Sequence, residues 1–235
     1  MALNYTEQEK NLLKKFLVFT FFIIFAINIL FTYNSSTYRV SKIVVENVSY
    51  QNLVKEFMSI SKGDSIWTVS DTTFDTILDK YDELEGIEVT KNYPNSLSIN
   101  LIETKKMAII FDLRKSIPET LVLLKNASVI AYNDQNKAGL ASITISNGPV
   151  PETFYGELVS FIATLDSYNL ASKTIELNFS GSNLVGEFQE TTVDFGYPID
   201  LGKKASALGY FLQNNSCNGD VSFIGSEELI TNCNI

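Results

Sequence analysis

The stretch Ile87-Glu88-Val89-Thr90-Lys91-Asn92-Tyr93-Pro94-Asn95-Ser96-Leu97-Ser98-Ile99-Asn100-Leu101-Ile102-Glu103 decides how the middle of the chain folds. Asn, Pro and Ser gather in 92–96, and these residues supply the local hydrogen bonds and fixed φ of a turn. Beyond it Leu97, Ile99 and Leu101 alternate with Ser98, Asn100 and Ile102. That period of two is a strand with one buried face. Ile87–Lys91 is also β-rich, so two strands joined by a turn are predicted.

Upstream the period changes. Tyr50, Leu53, Val54, Phe57 and Met58 recur at helical spacing, with Gly63 as a stop. Ser70 and Asp71 offer an N-cap, and Phe74, Ile77, Leu78 and Tyr81 give a second helix that Gly86 is expected to end. Residues 40–48 are rich in Val and Ile and read as a first strand. The order is β-α-α-β-β, and two helices on one face of three strands would bury both apolar stripes. Trp67 lies in a short apolar stretch between the helices and reads as a packing residue.

Downstream, strands are predicted at Ala108–Leu113, Leu121–Leu124, Val129–Tyr132 and Ser142–Ile145, then at Thr174–Phe179, Leu184–Gln189 and Thr192–Phe195. A helix follows Pro151, with Phe154, Leu158, Phe161, Ile162 and Leu165 as its stripe. A second has Leu201, Ala205, Leu208 and Leu212 on one face, and Asp220–Ile230 reads as two closing strands.

At the other end, Phe16 to Tyr33 is an 18-residue run without a charge. A helix of that length spans roughly 27 Å, enough for a bilayer core. A buried core helix would show a polar face, and this run has none. A cleaved signal peptide would have a shorter apolar region and a small-x-small site. The expectation is an uncleaved transmembrane helix. Lys10, Lys14 and Lys15 precede it, whereas Arg39 and Lys42 follow, so the N-terminus is expected in the cytoplasm and the C-terminal part outside. Asn28, in mid-span, is tolerable as a single polar group and can support helix association.

The 235 residues carry 18 Lys and Arg against 27 Asp and Glu, a net of −9, and no His. Removing the tail's three lysines and two glutamates leaves 15 basic and 25 acidic residues outside, a net of −10. Such a surface is not built to grip nucleic acid, anionic lipids or anionic wall polymers. Without His there is no Ser-His-Asp triad, Cys-His pair or His-ligated zinc. Asp82, Glu83 and Glu85 read as a solvated run, as do Asp71, Asp75 and Asp79, which are four apart. No calcium-loop spacing is present. Gly181 and Gly186 read as turns near strand ends. No cofactor, metal or small-molecule substrate is expected, and no catalytic residue is assigned.

Cys217 and Cys233 are each eight residues from Gly225, as Val221 and Leu229 are each four. Pairing about Gly225 would bring the two cysteines face to face, and outside the membrane a disulfide is permitted. Two unpaired thiols near a frayed terminus are the alternative.

These features together resemble the FtsQ/DivIB family of bacterial cell-division proteins. The segment from Asn92 to Glu103 looks like the family's aromatic-Pro turn followed by an alternating strand ending in Glu. Members often continue with a basic residue and Pro-Val-Ala; this chain has Thr104-Lys105-Lys106-Met107-Ala108, without the Pro. Ile43–Val48 resembles the family's first strand. Leu123–Ile130 is similar to its hairpin around Asp-x-x-Gly, here without the Gly. Asp194-Phe195-Gly196, followed by Lys203 and Lys204, resembles its strand-Gly-helix segment.

The resemblance implies an α+β chain: a single N-terminal transmembrane helix, a POTRA-type β-α-α-β-β module, then a β-rich domain with two flanking helices. Its parts would be a cytoplasmic tail at 1–15, the membrane helix at 16–33, the POTRA-like module at 38–106 and the β-domain at 107–235. It also implies a non-enzymatic divisome scaffold at the septum. The partners would be FtsB-like and FtsL-like single-pass proteins, added alongside the last strands. The residues expected to bind are Val221, Ser222, Phe223, Ile224, Gly225, Leu229 and Ile230. Some members carry Arg-Tyr in this strand; Phe223-Ile224 here would make the contact apolar, unless both residues merely close the core. Another membrane-anchored interaction module, such as a sensor or secretion component, is the alternative, ahead of an anchored cell-wall enzyme.

Overall fold

The computed structural model describes residues 7–132, 139–170, 175–188 and 190–234. Thr174 and Gln189, the expected outer residues of two strands, lie outside the described residues. The chain is α+β and divides into two compact units, Met1–Ile102 and Glu103–Ile235. The division falls between Ile102 and Glu103 rather than after Lys106, because Lys106 already pairs in the second unit's sheet.

Helix α1 runs Glu7–Asn34. It starts upstream of Phe16 because Glu, Gln, Lys and Leu there are good helix formers. Asn11–Asn34, 24 residues, is long and apolar enough to cross a membrane, and its apolar window is not buried at all. That exposure separates it from a core helix. Its polar side chains are satisfied within the helix: Thr20 Oγ1 donates to Phe16 O at 2.9 Å, Asn28 Nδ2 to Ile24 O at 2.8 Å and Thr32 Oγ1 to Asn28 O at 2.8 Å. Each of these side chains therefore keeps one hydrogen bond inside the helix in apolar surroundings.

The first unit continues with strand β1 (Lys42–Val45), helices α2 (Val54–Ser61) and α3 (Asp75–Leu78), and strands β2 (Leu84–Asn92) and β3 (Ser96–Glu103). The sheet order is β1-β3-β2, with β1 parallel to β3. Leu97 and Ile99 of β3 are fully buried, as the alternation requires. Phe57 and Phe74 meet edge to face, centroids 5.1 Å apart, in that core.

Three expectations are corrected here. Helix α3 stops at Leu78 instead of continuing through Tyr81. Three-residue turns take over, with Lys80 N donating to Ile77 O and Tyr81 N to Leu78 O. Tyr81 Oη donates to Glu56 Oε2 at 3.0 Å. Gly86 does not end a helix; it sits inside β2, where a Cβ would lie 3.3 Å from Ile102 Cδ1. Its role is close cross-strand approach. Gly63 does follow α2, with φ of +88°. Asp71 is not a free member of an acidic stripe, because its Oδ1 accepts from Val89 N at 2.8 Å.

The second unit is a nine-stranded mixed sheet: β4 (Lys106–Asp112), β5 (Glu119–Leu124), β6 (Val129–Ala131), β7 (Ala141–Asn147), β8 (Glu176–Ser180), β9 (Asn183–Phe188), β10 (Thr191–Gly196), β11 (Asn218–Phe223) and β12 (Leu229–Asn234). Its order is β12-β11-β10-β9-β8-β7-β4-β5-β6. Helix α4 (Phe154–Ser167) links β7 to its parallel neighbour β8, and α5 (Leu201–Asn214) links β10 to its parallel neighbour β11. Parallel neighbours need such crossovers. Both helices bury their stripes in one core with the sheet, around Phe154, Phe161, Phe179 and Phe195. Gly186 is not a turn residue: it lies within β9, and a Cβ there would run into Phe188 and Leu177.

The β5–β6 hairpin places Ala127 at φ +66° in its turn. A left-handed conformation costs an L-residue roughly 1–2 kcal/mol, partly offset by the chain entropy that glycine brings to the unfolded state. Ala127→Gly is therefore expected to stabilise this unit by about 0.5–1 kcal/mol, read as slower exchange of β5 and β6 amides. Unchanged or faster exchange would contradict it.

Candidate partner-binding edge

The end of the sheet is built by β10, β11 and β12. Strand β11 pairs parallel to β10 on one side and antiparallel to β12 on the other. Its backbone is engaged on both flanks, so Val221, Ser222 and Phe223 do not form the free edge. Val221 is 1 % exposed and faces the core. Phe223 is partly buried and stacks on Phe195, centroids 5.5 Å apart. Ile224 and Gly225 lie in the turn, exposed. Of the seven residues expected to bind, only Leu229 and Ile230 lie on the outer strand. Leu229 packs against the core, whereas Ile230 is 57 % exposed on the other face.

The register explains the difference. Phe223 faces Leu229, Val221 faces Thr231 and Gly219 faces Cys233. The hairpin is therefore centred on Ser226, not Gly225. Ile224 N donates to Glu228 O at 3.1 Å to close the turn, and Ser226 Oγ donates to Asp200 Oδ2 at 2.7 Å, tying it to the start of α5.

The turn bond also fixes which groups point outward. In an antiparallel ladder, hydrogen-bonded and non-hydrogen-bonded pairs alternate. With Ile224 and Glu228 bonded, the next bonded pairs are Ser222–Ile230 and Asp220–Asn232. The backbones of Leu229, Thr231 and Cys233 then face away from β11. Gly219 N agrees with this phase, since it donates to Glu190 O at 3.2 Å, on the side away from β12. The outer edge therefore offers a short row of N–H and C=O groups, the requirement for adding another strand.

A groove of about 650 Å³ runs beside this edge between α5 and the hairpin. Lys203, Tyr210, Phe211, Glu227 and Leu229 are among its walls. Tyr210 is exposed and lies off the apolar stripe of α5. An aromatic off the stripe was the available sequence signal for this groove. Thr231 had none, because its importance comes from the phase of the ladder.

Two features brace the edge. Cys217 and Cys233 form a disulfide with Cα atoms 5.0 Å apart. They are diagonal, not directly opposite. Cys233 faces Gly219, and residues 217 and 219 share a face. Gly219 has φ of +152°, and a Cβ there would collide with the Asn232 carbonyl. Secondly, Lys204 of α5 is buried, and its Nζ donates to Phe195 O at 2.7 Å and Tyr197 O at 2.9 Å. It ties the end of β10 to the helix. Burial pulls its pKa below the ordinary lysine value, partly opposed by the nearby Asp200, Glu157 and Asp194.

Among the described residues, no group of three or more Cys, Asp or Glu is placed to hold a metal ion. Trp67, read from sequence as a core or packing residue, lies outside the core at 43 % exposure and packs between Tyr38 and Tyr93. No family model matches the chain, and no curated protein matches it either.

Proposed function

We infer that the chain is a non-catalytic scaffold of a bacterial division complex, held in the cell membrane by α1 with its N-terminus in the cytoplasm. It takes FtsB-like and FtsL-like single-pass partners by strand addition at β12. The observation that carries this reading is the free outer edge of β12, with a groove alongside for side chains of the added strand. The resemblance adds the identity of the partners. In this reading the first unit is the POTRA-type module, and its three strands and two helices directly after the anchor fit that role.

The phase of the ladder supplies the test. Thr231→Pro removes an outward N–H and leaves the β11 ladder intact, a position where edge strands tolerate proline. Partner recovery in a pull-down from dividing cells should fall about tenfold or more, on the order of 1.4 kcal/mol, while the fold persists. Ile230→Pro removes an inward N–H and should loosen β12 itself. Undiminished recovery of the partners by Thr231→Pro would reject the edge. A fluorescent fusion spread evenly over the membrane, in cells that divide normally after depletion, would reject the division role. Phe223→Lys is a poor probe of the edge, because that ring stacks on the core.

A further inference from the structure

The geometry points to a second surface: Tyr38, Trp67 and Tyr93 form an aromatic seat by which the first unit rests in the interfacial layer of the bilayer beside its own anchor. This rests on α1 being a membrane-spanning helix. Trp67 stands between Tyr38 and Tyr93, with centroids 5.5 and 4.8 Å away. Trp67 is 43 % and Tyr93 54 % exposed, whereas Phe57 and Phe74 of the same unit are fully buried. A packed domain that leaves its one indole outside has not used it for the core.

The loop that carries Trp67 is firmly held. Ile66 and Val69, on either side, are buried. Lys91 Nζ donates to the Trp67 carbonyl at 3.2 Å, and Arg39 Nη1 donates to Gly63 O at 2.7 Å. The indole is therefore presented outward on a rigid support.

Position selects the occupant. Trp67 and α1 together wall a groove of about 520 Å³, whose helix side is Phe25, Asn28, Ile29, Thr32 and Tyr33. Phe25 lies nine residues before the end of α1 at Asn34, roughly 13 Å deeper at helical rise. Lipid that surrounds the last turns of α1 must then meet Trp67 as well. Indole and phenol rings have an apolar body and a polar tip, which places them at the level of the headgroups and ester carbonyls. The seat works through ring burial, not charge, and this suits an exterior with a net of −10.

The chain has a single Trp, so its fluorescence reports this site alone. The full chain is placed in vesicles of phosphatidylcholine and phosphatidylglycerol, and insertion is checked by flotation after alkaline washing. Lipid brominated near the carbonyl end of its chains should remove roughly half of the emission or more, and lipid brominated near the bilayer centre should remove less. Aqueous iodide should quench weakly. Protein that floats, yet is quenched by iodide and not by carbonyl-level bromine, overturns the seat and leaves the anchor standing. Protein that does not float overturns the anchor, and the seat with it. If a protein partner covers these rings instead, lipid bromine fails to reach Trp67, which also overturns the proposal.

Discussion

Phe195→Ala should lower the stability of the second unit by about 3–5 kcal/mol, the usual cost of emptying a fully buried aromatic site. Phe195 has no exposed surface and touches three other rings: Phe161 at 4.9 Å, Phe223 at 5.5 Å and Phe188 at 6.0 Å. It therefore joins α4, β9, β10 and β11 at one point. The loss should be local to one unit, since each unit has its own core. Hydrogen exchange on the full chain separates the two: amides of β9, β10 and β11 should lose protection while those of β2 and β3 keep theirs. The edge should suffer as well. Phe223 loses its stacked neighbour, and Phe223 faces Leu229 across the ladder. Partner binding should weaken beyond what Phe195→Leu causes, which keeps most of the buried volume. A loss under about 1 kcal/mol would mean that the core around this ring collapses freely, contrary to close packing.

Element types were legible because their periods were clean. Alternation at Leu97, Ile99 and Leu101 and the stripe from Phe154 to Leu165 each describe one buried face, and each appears as an element with that face inside. Glycines were less legible. Gly63 sits after a helix, as its freedom at positive φ allows, whereas Gly86 and Gly186 sit inside strands where another side chain passes close. Sequence does not distinguish the two uses, because the reason for the second is a neighbour distant along the chain.

The edge was the least legible part. Pairing about Gly225 and pairing about Ser226 differ by two residues in register. A slip of one residue would put every side chain on the wrong face, but a slip of two leaves all of them where they were. Hydrophobic alternation is blind to it. What decides is the Ile224–Glu228 closure of the turn and the Ser226–Asp200 bond to α5, both invisible from β11 and β12 alone. The same two bonds set the phase that turns Thr231 outward. The residues first expected to bind therefore include three from an interior strand, and the outer strand supplies the backbone groups.

The Cys217–Cys233 disulfide carries the other large expected effect. Its loop has a sequence separation of 16, and closing a loop of that size removes about 3 kcal/mol of unfolded-state freedom in the entropic treatment. Cys217→Ser with Cys233→Ser should cost that amount. The consequence should fall first on β12, the outermost strand, which pairs with β11 on one flank and is further held by this bond, the turn and the packing of Leu229. The Ile230 and Asn232 amides, which face β11, should exchange faster than those of β10, and a strand that must be ordered before it can receive a partner binds more weakly. The effect also ties the edge to topology, because such a bond persists only where the compartment is oxidising. In the proposed orientation, with the N-terminus in the cytoplasm, β12 would lie on the outer side, where the bond can form. Protein taken from the membrane without reductant should show no alkylatable thiol, and reduction should reproduce the double substitution in both exchange and partner recovery. Two free thiols in the native protein would remove the brace, and equal partner recovery with and without reductant would show that the edge stands on its ladder alone.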